Sequence, residues 1–315
     1  MEGQKSISNA FSAYHPAVNF FYFSFVLIYT MFFLHPLCLI ISLVCAFIYA
    51  YLLSGGKIAK FYLVYLLPLL FLGALLNPIF NHRGMTVLAH LPSGNPLTLE
   101  STLYGISAAV LLAAVICWFN CYGKVMTSDK FIYLFGRIIP GLSLLLTMAL
   151  RFVPHFAGQA KIIADSQRCL GRDLSSGPLW QRMRLGIKII SILITWALEN
   201  AIETADSMKS RGYGLPGRTS FTLFCWEKRD KIALAFILAC GGYVLVGAVR
   251  GTLAYDYFPY LHPVIPGFFG ASVMLVYFLL CATPLLIAAG ETLKWKRLVR
   301  QRFNAFLLLE RIKES

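Results

Sequence analysis

Charged side chains are scarce in this sequence. Asp, Glu, Lys and Arg make up 13% of its 315 residues, whereas hydrophobic residues make up 58%. Several apolar runs approach the ~20 residues that a helix needs to cross a bilayer core about 30 Å thick, and none has a charge in its middle. The composition predicts an all-α, polytopic helical membrane protein with about six transmembrane helices, at 18–34, 37–53, 61–76, 101–121, 232–249 and 268–289.

The sequence also lacks the common signatures of catalysis. It has no G-x-x-x-x-G-K-[ST] phosphate loop, no G-x-S-x-G and no H-E-x-x-H. Its eight cysteines include no C-x-x-C pair, so a metal or redox site has little support. We therefore expect a protein that is not an enzyme and holds no cofactor, and that takes any energy from ATP through another polypeptide.

Acidic residues are half as frequent as basic ones, 14 against 28. Cytoplasmic segments of membrane proteins retain Lys and Arg. Six spans with both ends inside leave only Arg83 and Arg250 on the outer side, so we predict a multi-pass cell-membrane protein with both termini in the cytoplasm. The basic side would meet anionic lipid headgroups. Nucleic acid is not an expected partner, because the basic residues are spread along helices that also carry apolar faces.

Four segments follow from this layout. They are an N-terminal four-helix membrane unit (1–121), a cytoplasmic domain (122–230), a C-terminal two-helix membrane unit (231–290) and a basic cytoplasmic tail (291–315). The apolar stretch 131–150 could be a further span. It contains Arg137 and Pro140, however, and a crossing there would move the basic segment that follows to the outer side. We expect it to be cytoplasmic or interfacial.

Turn residues between the third and fourth spans predict a short hairpin. Segments 86–91 and 97–99 flank the sequence Pro-Ser-Gly-Asn-Pro, which is typical of a turn between two strands.

The cytoplasmic domain is predicted to contain two long helices. The first begins at Pro140 and ends near Leu170, with Gly171 as its cap. The second covers 181–211 and is closed by Gly212. Its apolar run at 189–198 is too short to span a bilayer, so we expect this helix to pack against the membrane unit or the first long helix. Apolar residues recur along it at spacings of three and four: Ile187, Ile190, Ile194, Ala197, Ala201, Ala205 and Met208.

The two helices end in similar sequences 41 residues apart. Residues 165–171, the first tip, read DSQRCLG, and residues 206–212, the second tip, read DSMKSRG. Each ending is explained locally as an ordinary capped helix. Because the pattern occurs twice on the same predicted side of the membrane, we also expect the two tips to contact two similar partners.

The second tip and its surroundings resemble a known family. The segment ADSMKSRGYG at 205–214, WALEN at 196–200 and RFVP at 151–154 are similar to the transmembrane T components of energy-coupling-factor (ECF) transporters, including the CbiQ-type cobalt transporter subunits. Two coupling helices of that family end in Ala-Arg-Gly. Ser210-Arg211-Gly212 matches the second of these motifs, whereas Cys169-Leu170-Gly171 lacks the arginine of the first.

The resemblance implies a division of labour among subunits. A T component links two ABC-type ATPase subunits to a small membrane substrate-binding (S) subunit, and the complex takes up a vitamin or a transition-metal ion. The coupling helices would seat in grooves on the ATPases. The residues implied in this contact are Arg168, Gly171, Arg172, Asp206, Lys209, Ser210, Arg211 and Gly212, with either Arg168 or Arg172 replacing the arginine that is missing at Leu170.

Two other functions are compatible with the sequence. A stand-alone secondary transporter would have a similar number of spans, but such proteins place ionisable residues inside the membrane, and the predicted spans have none at their centres. A membrane scaffold without transport activity is the second alternative.

Overall fold

The computed structural model describes residues 10–81, 83–90, 96–136, 139–171, 178–213, 215, 224–259 and 267–314. In these ranges the chain is helical apart from one short hairpin and connecting turns, so the predicted all-α membrane fold is confirmed. The internal contacts divide it into two units, Met1–Thr127 with Phe224–Ser315 and Ser128–Leu223. The predicted segment boundaries at 122, 231 and 291 stay predictions.

The elements follow one another along the chain after a short 3-10 turn at Ala10–Ala13. They are α1 (Pro16–Phe32), α2 (Pro36–Ser54), α3 (Gly56–Phe80), β1 (Val87–His90), β2 (Pro96–Thr98), α4 (Leu99–Val125), α5 (Ser128–Gly136), α6 (Pro140–Cys169), α7 (Leu179–Ser210), α8 (Lys228–Val249) and α9 (Phe268–Glu314). The first unit contains α1–α4, the hairpin, α8 and α9, and the second contains α5–α7.

Helices α1 and α2 begin with the same His-Pro dipeptide. The Nδ1 atom of His15 accepts a hydrogen bond from the backbone N–H of Ala17 at 3.2 Å, and that of His35 accepts one from Leu37 at 3.3 Å. Proline fits the first helical position because its missing N–H would have no partner there. The histidines therefore act as side-chain caps.

A chain of polar side chains joins four helices inside the first unit. The indole N–H of Trp118 in α4 donates to Ser42 Oγ in α2 at 2.9 Å, and Ser42 Oγ lies 2.8 Å from Thr30 Oγ1 in α1. The hydroxyl of Tyr277 in α9 lies 3.3 Å from the same threonine oxygen. Within a bilayer, polar groups must find partners inside the protein. This network therefore fixes how the four helices face one another.

The predicted hairpin is confirmed, since β1 and β2 pair antiparallel. A buried carboxylate joins it to α4. Glu100 is 1% exposed, and it accepts hydrogen bonds from the backbone N–H of Thr86 at 3.2 Å and from Thr86 Oγ1 at 2.7 Å. Gly84, at a φ of 133°, approaches this carboxylate so closely that a Cβ atom would overlap Glu100 Oε2.

Seven of the described helices contain long apolar segments. By length and composition, α2, α4, α7, α8 and the part of α9 up to Arg300 could each cross a bilayer, and α1 and the 64–80 part of α3 are shorter apolar helices. The six predicted spans lie in α1–α4, α8 and α9. Helix α7 qualifies as well, although the sequence argument placed it outside the bilayer. That placement stays a prediction, as does the orientation of the termini.

Within the second unit, the apolar stretch 131–150 is divided between α5 and α6 rather than forming one helix. Helices α6 and α7 cross near their midpoints. There the ring of Trp196 lies 5.1 Å from His155 and 5.9 Å, edge to face, from Phe156. Ile163 of α6 and Ile189 of α7 are the large apolar side chains that this unit buries most fully.

Helix α7 packs against the first long helix, as predicted, but only one of its apolar faces does so. Of the apolar residues that recur at spacings of three and four, Ile187, Ile190 and Ile194 are 66%, 56% and 55% exposed. The face of α7 that packs in the unit contains Ile189 and Trp196 instead. Apolar residues occupy two faces of this helix, so periodicity alone did not determine which of them would meet α6.

Candidate functional site: two capped helix ends

The second tip ends in a complete glycine cap. Gly212 has a φ of 74°, and its N–H donates to the carbonyl of Lys209 at 3.0 Å. The N–H of Tyr213 donates to the carbonyl of Met208, also at 3.0 Å. These two bonds define the Schellman motif, which satisfies the last carbonyls of a helix and needs a left-handed residue. Arg211 is the cap residue just before this turn.

The first tip ends in the same way as far as it is described. Gly171 has a φ of 75°, and its N–H donates to the carbonyl of Arg168 at 2.9 Å. The N–H of Leu170 donates to the carbonyl of Gln167 at 3.1 Å. Arg172, the other candidate for the missing arginine, lies outside the described residues. The glycine caps predicted at both helix ends are therefore present.

The side chains of the second tip point away from the protein. Asp206, Lys209, Ser210 and Arg211 are all exposed. The hydroxyl of Ser210 donates to the carbonyl of Ser207 at 2.9 Å, which occupies it locally. Among the described residues, no acidic side chain forms an ion pair with Arg211 or Lys209. Both cations are thus available to a carboxylate on another molecule.

The side chains of the first tip are exposed to a similar degree, but their chemistry differs. Arg168 and Cys169 are exposed, and Leu170, which aligns with Arg211 of the second tip, is 69% exposed. Gln167 is buried, and its Oε1 atom has no hydrogen-bond partner among the described residues. The first tip therefore combines a basic side chain with an apolar one at its end.

Acidic side chains line α7 just before the second tip. Glu199, Glu203 and Asp206 are exposed, and their spacings of four and three place them on one side of the helix. Across the described ranges, no three His, Cys, Asp or Glu side chains stand close enough to hold a metal ion. The second tip thus has an acidic flank and a basic end.

The two tips are far apart within the second unit. Each lies about 20 Å from the crossing of α6 and α7, because a helix rises ~1.5 Å per residue. Residues 170–178 join the end of α6 to the start of α7, and even when fully extended they reach only about 35 Å. This limit keeps the end of α6 on the side where α7 begins. The tips are therefore separated by at least about 25 Å.

Sequence reasoning missed one residue of the second tip. Tyr213 supplies a cap hydrogen bond through its backbone, and its ring is 40% exposed beside Arg211 in the sequence. The aromatic residue directly after the capping glycine could have indicated from the sequence that Tyr213 belongs to the tip.

Comparison with known proteins identifies the family. The family model described as a cobalt transport protein, CbiQ, matches residues 11–221. The chain is similar to the energy-coupling factor transporter transmembrane protein EcfT of Lactobacillus helveticus, with 36% identity over 106 residues, 33% of this chain and 38% of that protein. The EcfT of Bacillus selenitireducens is 33% identical over 111 residues, 35% of this chain and 41% of that protein.

The chain thus matches about two fifths of the length of these two relatives. A longer match, 27% identical over 240 residues, covers 69% of this chain and 85% of the EcfT of Staphylococcus aureus. The family match extends over both long helices and both tips. The chain therefore belongs to the CbiQ family and to the T components of energy-coupling-factor transporters.

Proposed function

We propose that this chain is the coupling subunit of an ECF-type ABC importer. In this role it transmits the ATP-driven motion of two cytoplasmic ATPases to a separate substrate-binding membrane subunit, which takes up a vitamin or a transition-metal ion. ATP is hydrolysed in the partner subunits. Family membership supports the transport role, and the two exposed, glycine-capped helix ends support the coupling role.

The main support for the proposal is Arg211, the unpaired arginine of the second tip. A guanidinium offers five donors in a planar fork that suits the two oxygens of a carboxylate. Arg211 is exposed and has no ion-pair partner among the described residues. Gly212 follows it without a side chain, so a partner backbone can approach closely. We expect Arg211, flanked by Lys209, to bind an acidic groove of one ATPase.

At the first tip, the same contact needs another cation. Arg168 is exposed one helical turn before the cap, and Arg172 follows the cap in the sequence. The separation of at least about 25 Å between the tips supports two partner surfaces rather than one. We therefore assign one ATPase to each tip.

The alternative functions make different predictions. A secondary transporter would take up its substrate alone, driven by an ion gradient, and a scaffold would bind partners without transport. Family membership favours the coupling role over both. Ion-driven uptake by the purified chain in liposomes would support the first alternative instead.

The test begins with a tagged chain purified from its native membrane, with its partners identified by mass. We expect two ATPases and one small membrane protein. Arg211→Glu should lower ATPase retention about 10- to 100-fold, because a hydrogen bond to a charged group contributes roughly 1.5–3 kcal/mol. Membrane insertion should not change, since Arg211 has no ion pair within the described residues.

Lys161→Glu is the matched control, because Lys161 is exposed on α6 outside both tips. Leu170→Arg should keep the first ATPase, since it restores the family motif. Equal ATPase retention by Arg211→Glu and Lys161→Glu would contradict the proposal.

A further inference from the structure

The first half of α7 has an apolar face that nothing in the described structure covers. Trp180 is 74% exposed and Met183 is 59% exposed, and the face continues through the exposed Ile187, Ile190 and Ile194. At 100° per residue these five side chains fall in one sector about 80° wide. They therefore form a continuous surface on one side of the helix, here called the outer face.

The outer face is not the side that packs in the second unit. Ile189 is 7% exposed, and the ring of Trp196 packs on α6. Both residues lie on the side of α7 opposite the outer face. The two tryptophans of this helix therefore have different surroundings, since the ring of Trp196 contacts α6 and Trp180 is 74% exposed.

Positive charge borders the outer face, and negative charge is missing from it. Arg184 and Lys188 are exposed along one edge of the face, and neither forms an ion pair among the described residues. The first acidic residue of α7 is Glu199, beyond the face. An apolar stripe with a tryptophan at one end and basic residues along its border is typical of helices that lie in a membrane interface.

We propose that the first half of α7 binds an anionic lipid surface through this outer face. The side chains of Trp180, Ile187 and Ile194 enter the boundary between headgroups and acyl chains. Arg184 and Lys188 bind lipid phosphates, because anionic headgroups attract basic side chains near the surface. The helix lies along the membrane rather than across it, since a crossing would bury Lys188 among hydrocarbon. This binding needs no partner subunit and does not depend on the proposed coupling role.

The experiment uses the full chain, without partners, in lipid nanodiscs. Cys169 and Cys225 are exposed, so both are first replaced by serine. A spin label is then placed through Ile187→Cys, or through Gln181→Cys on the polar side of the same helix. Accessibility to oxygen and to a water-soluble nickel complex reports the depth of each label. In discs containing phosphatidylglycerol, we expect the label at 187 in the lipid and the label at 181 in water.

A charge variant tests the role of the cations. Arg184→Gln combined with Lys188→Gln should lower the ratio of immersed to solvated label at position 187 about 25-fold, at about five-fold per cation. For the unchanged helix, discs of phosphatidylcholine should also lower this ratio, because they carry no anionic headgroups. Lys161→Gln, which removes one positive charge from α6, should leave the ratio unchanged.

Three results would overturn the proposal. The label at 187 could stay in water in phosphatidylglycerol discs. The labels at 187 and 181 could be equally deep, which would mean that the helix has no immersed side. The label at 187 could become protected only when an ATPase, a substrate-binding subunit or a second copy of this chain is added, which would assign the outer face to a protein.

Discussion

The glycine caps of the two tips allow a stability prediction with a defined size. In Gly212→Ala, a side chain would occupy a φ of 74°, and left-handed backbone costs an L-residue about 1–2 kcal/mol. The added Cβ would also lie 3.0 Å from Leu215 Cδ1, but that atom ends an exposed, flexible side chain that can move aside. At Gly171, with a φ of 75°, no heavy atom lies within 4 Å of the added Cβ. We therefore expect each substitution to destabilise its helix end by about 1–2 kcal/mol.

Gly186→Ala is the matched control because Gly186 lies inside α7 and an added Cβ would meet nothing within 4 Å. Alanine is favoured over glycine inside a helix by up to about 1 kcal/mol. The same substitution on the same helix should therefore stabilise at 186 and destabilise at 212.

Hydrogen exchange measured by mass spectrometry can compare the local stability of the helix near residues 186 and 212. The amides of Gly212 and Tyr213 donate the cap hydrogen bonds. A loss of about 1–2 kcal/mol should speed their exchange by about 5- to 30-fold in Gly212→Ala. Gly186→Ala should slow exchange near residue 186 or leave it unchanged. Unchanged exchange at the second tip in Gly212→Ala would refute the argument that the left-handed backbone requires glycine.

Two further predictions concern the first unit. Burial lowers the pKa of His15, against an opposing effect of Asp230. The folded-state pKa then lies below the unfolded value of about 6.5, so stability is retained above pH ~6.5 and is lost as the pH falls below it. The temperature at the midpoint of thermal unfolding in detergent should decrease when the pH is lowered from 7 to 5.5. This decrease should be smaller in His15→Gln. Separately, Glu100→Ala removes the acceptor of two hydrogen bonds from Thr86 and should lower the free energy of unfolding by about 3 kcal/mol. Glu100→Gln should cost less, and an equal cost in both variants would contradict a role for the carboxylate oxygens.

Local signals in the sequence predicted the helix ends well. Gly171 and Gly212 end their helices because a glycine cap depends on the backbone of a few neighbouring residues. The break between α5 and α6 likewise follows from Pro140 at the start of a helix. Whether Arg168 and Arg211 bind an ATPase stays a prediction, because that contact depends on a second molecule.

Contacts between distant segments could not be predicted from such local sequence signals. Helix α7 packs through the face that contains Ile189 and leaves Ile187 and Ile194 exposed. The sequence did not distinguish these faces, because a helix with two apolar faces has two consistent packings. The contact between Trp118 and Ser42 joins residues of different spans, and no periodic pattern in either segment indicates its partner. Such pairs depend on how whole helices meet.

The continuous helix α9 has a mechanical consequence. It extends from Phe268 to Glu314 and is therefore about 70 Å long, more than twice the thickness of a bilayer core. Its one interior proline is Pro284, and the arm from there to Glu314 measures about 45 Å. A bend of about 10° at this proline would move the far end by about 8 Å, close to the distance between packed helices. A small bend at Pro284 would therefore become a displacement about one helix wide at Glu314.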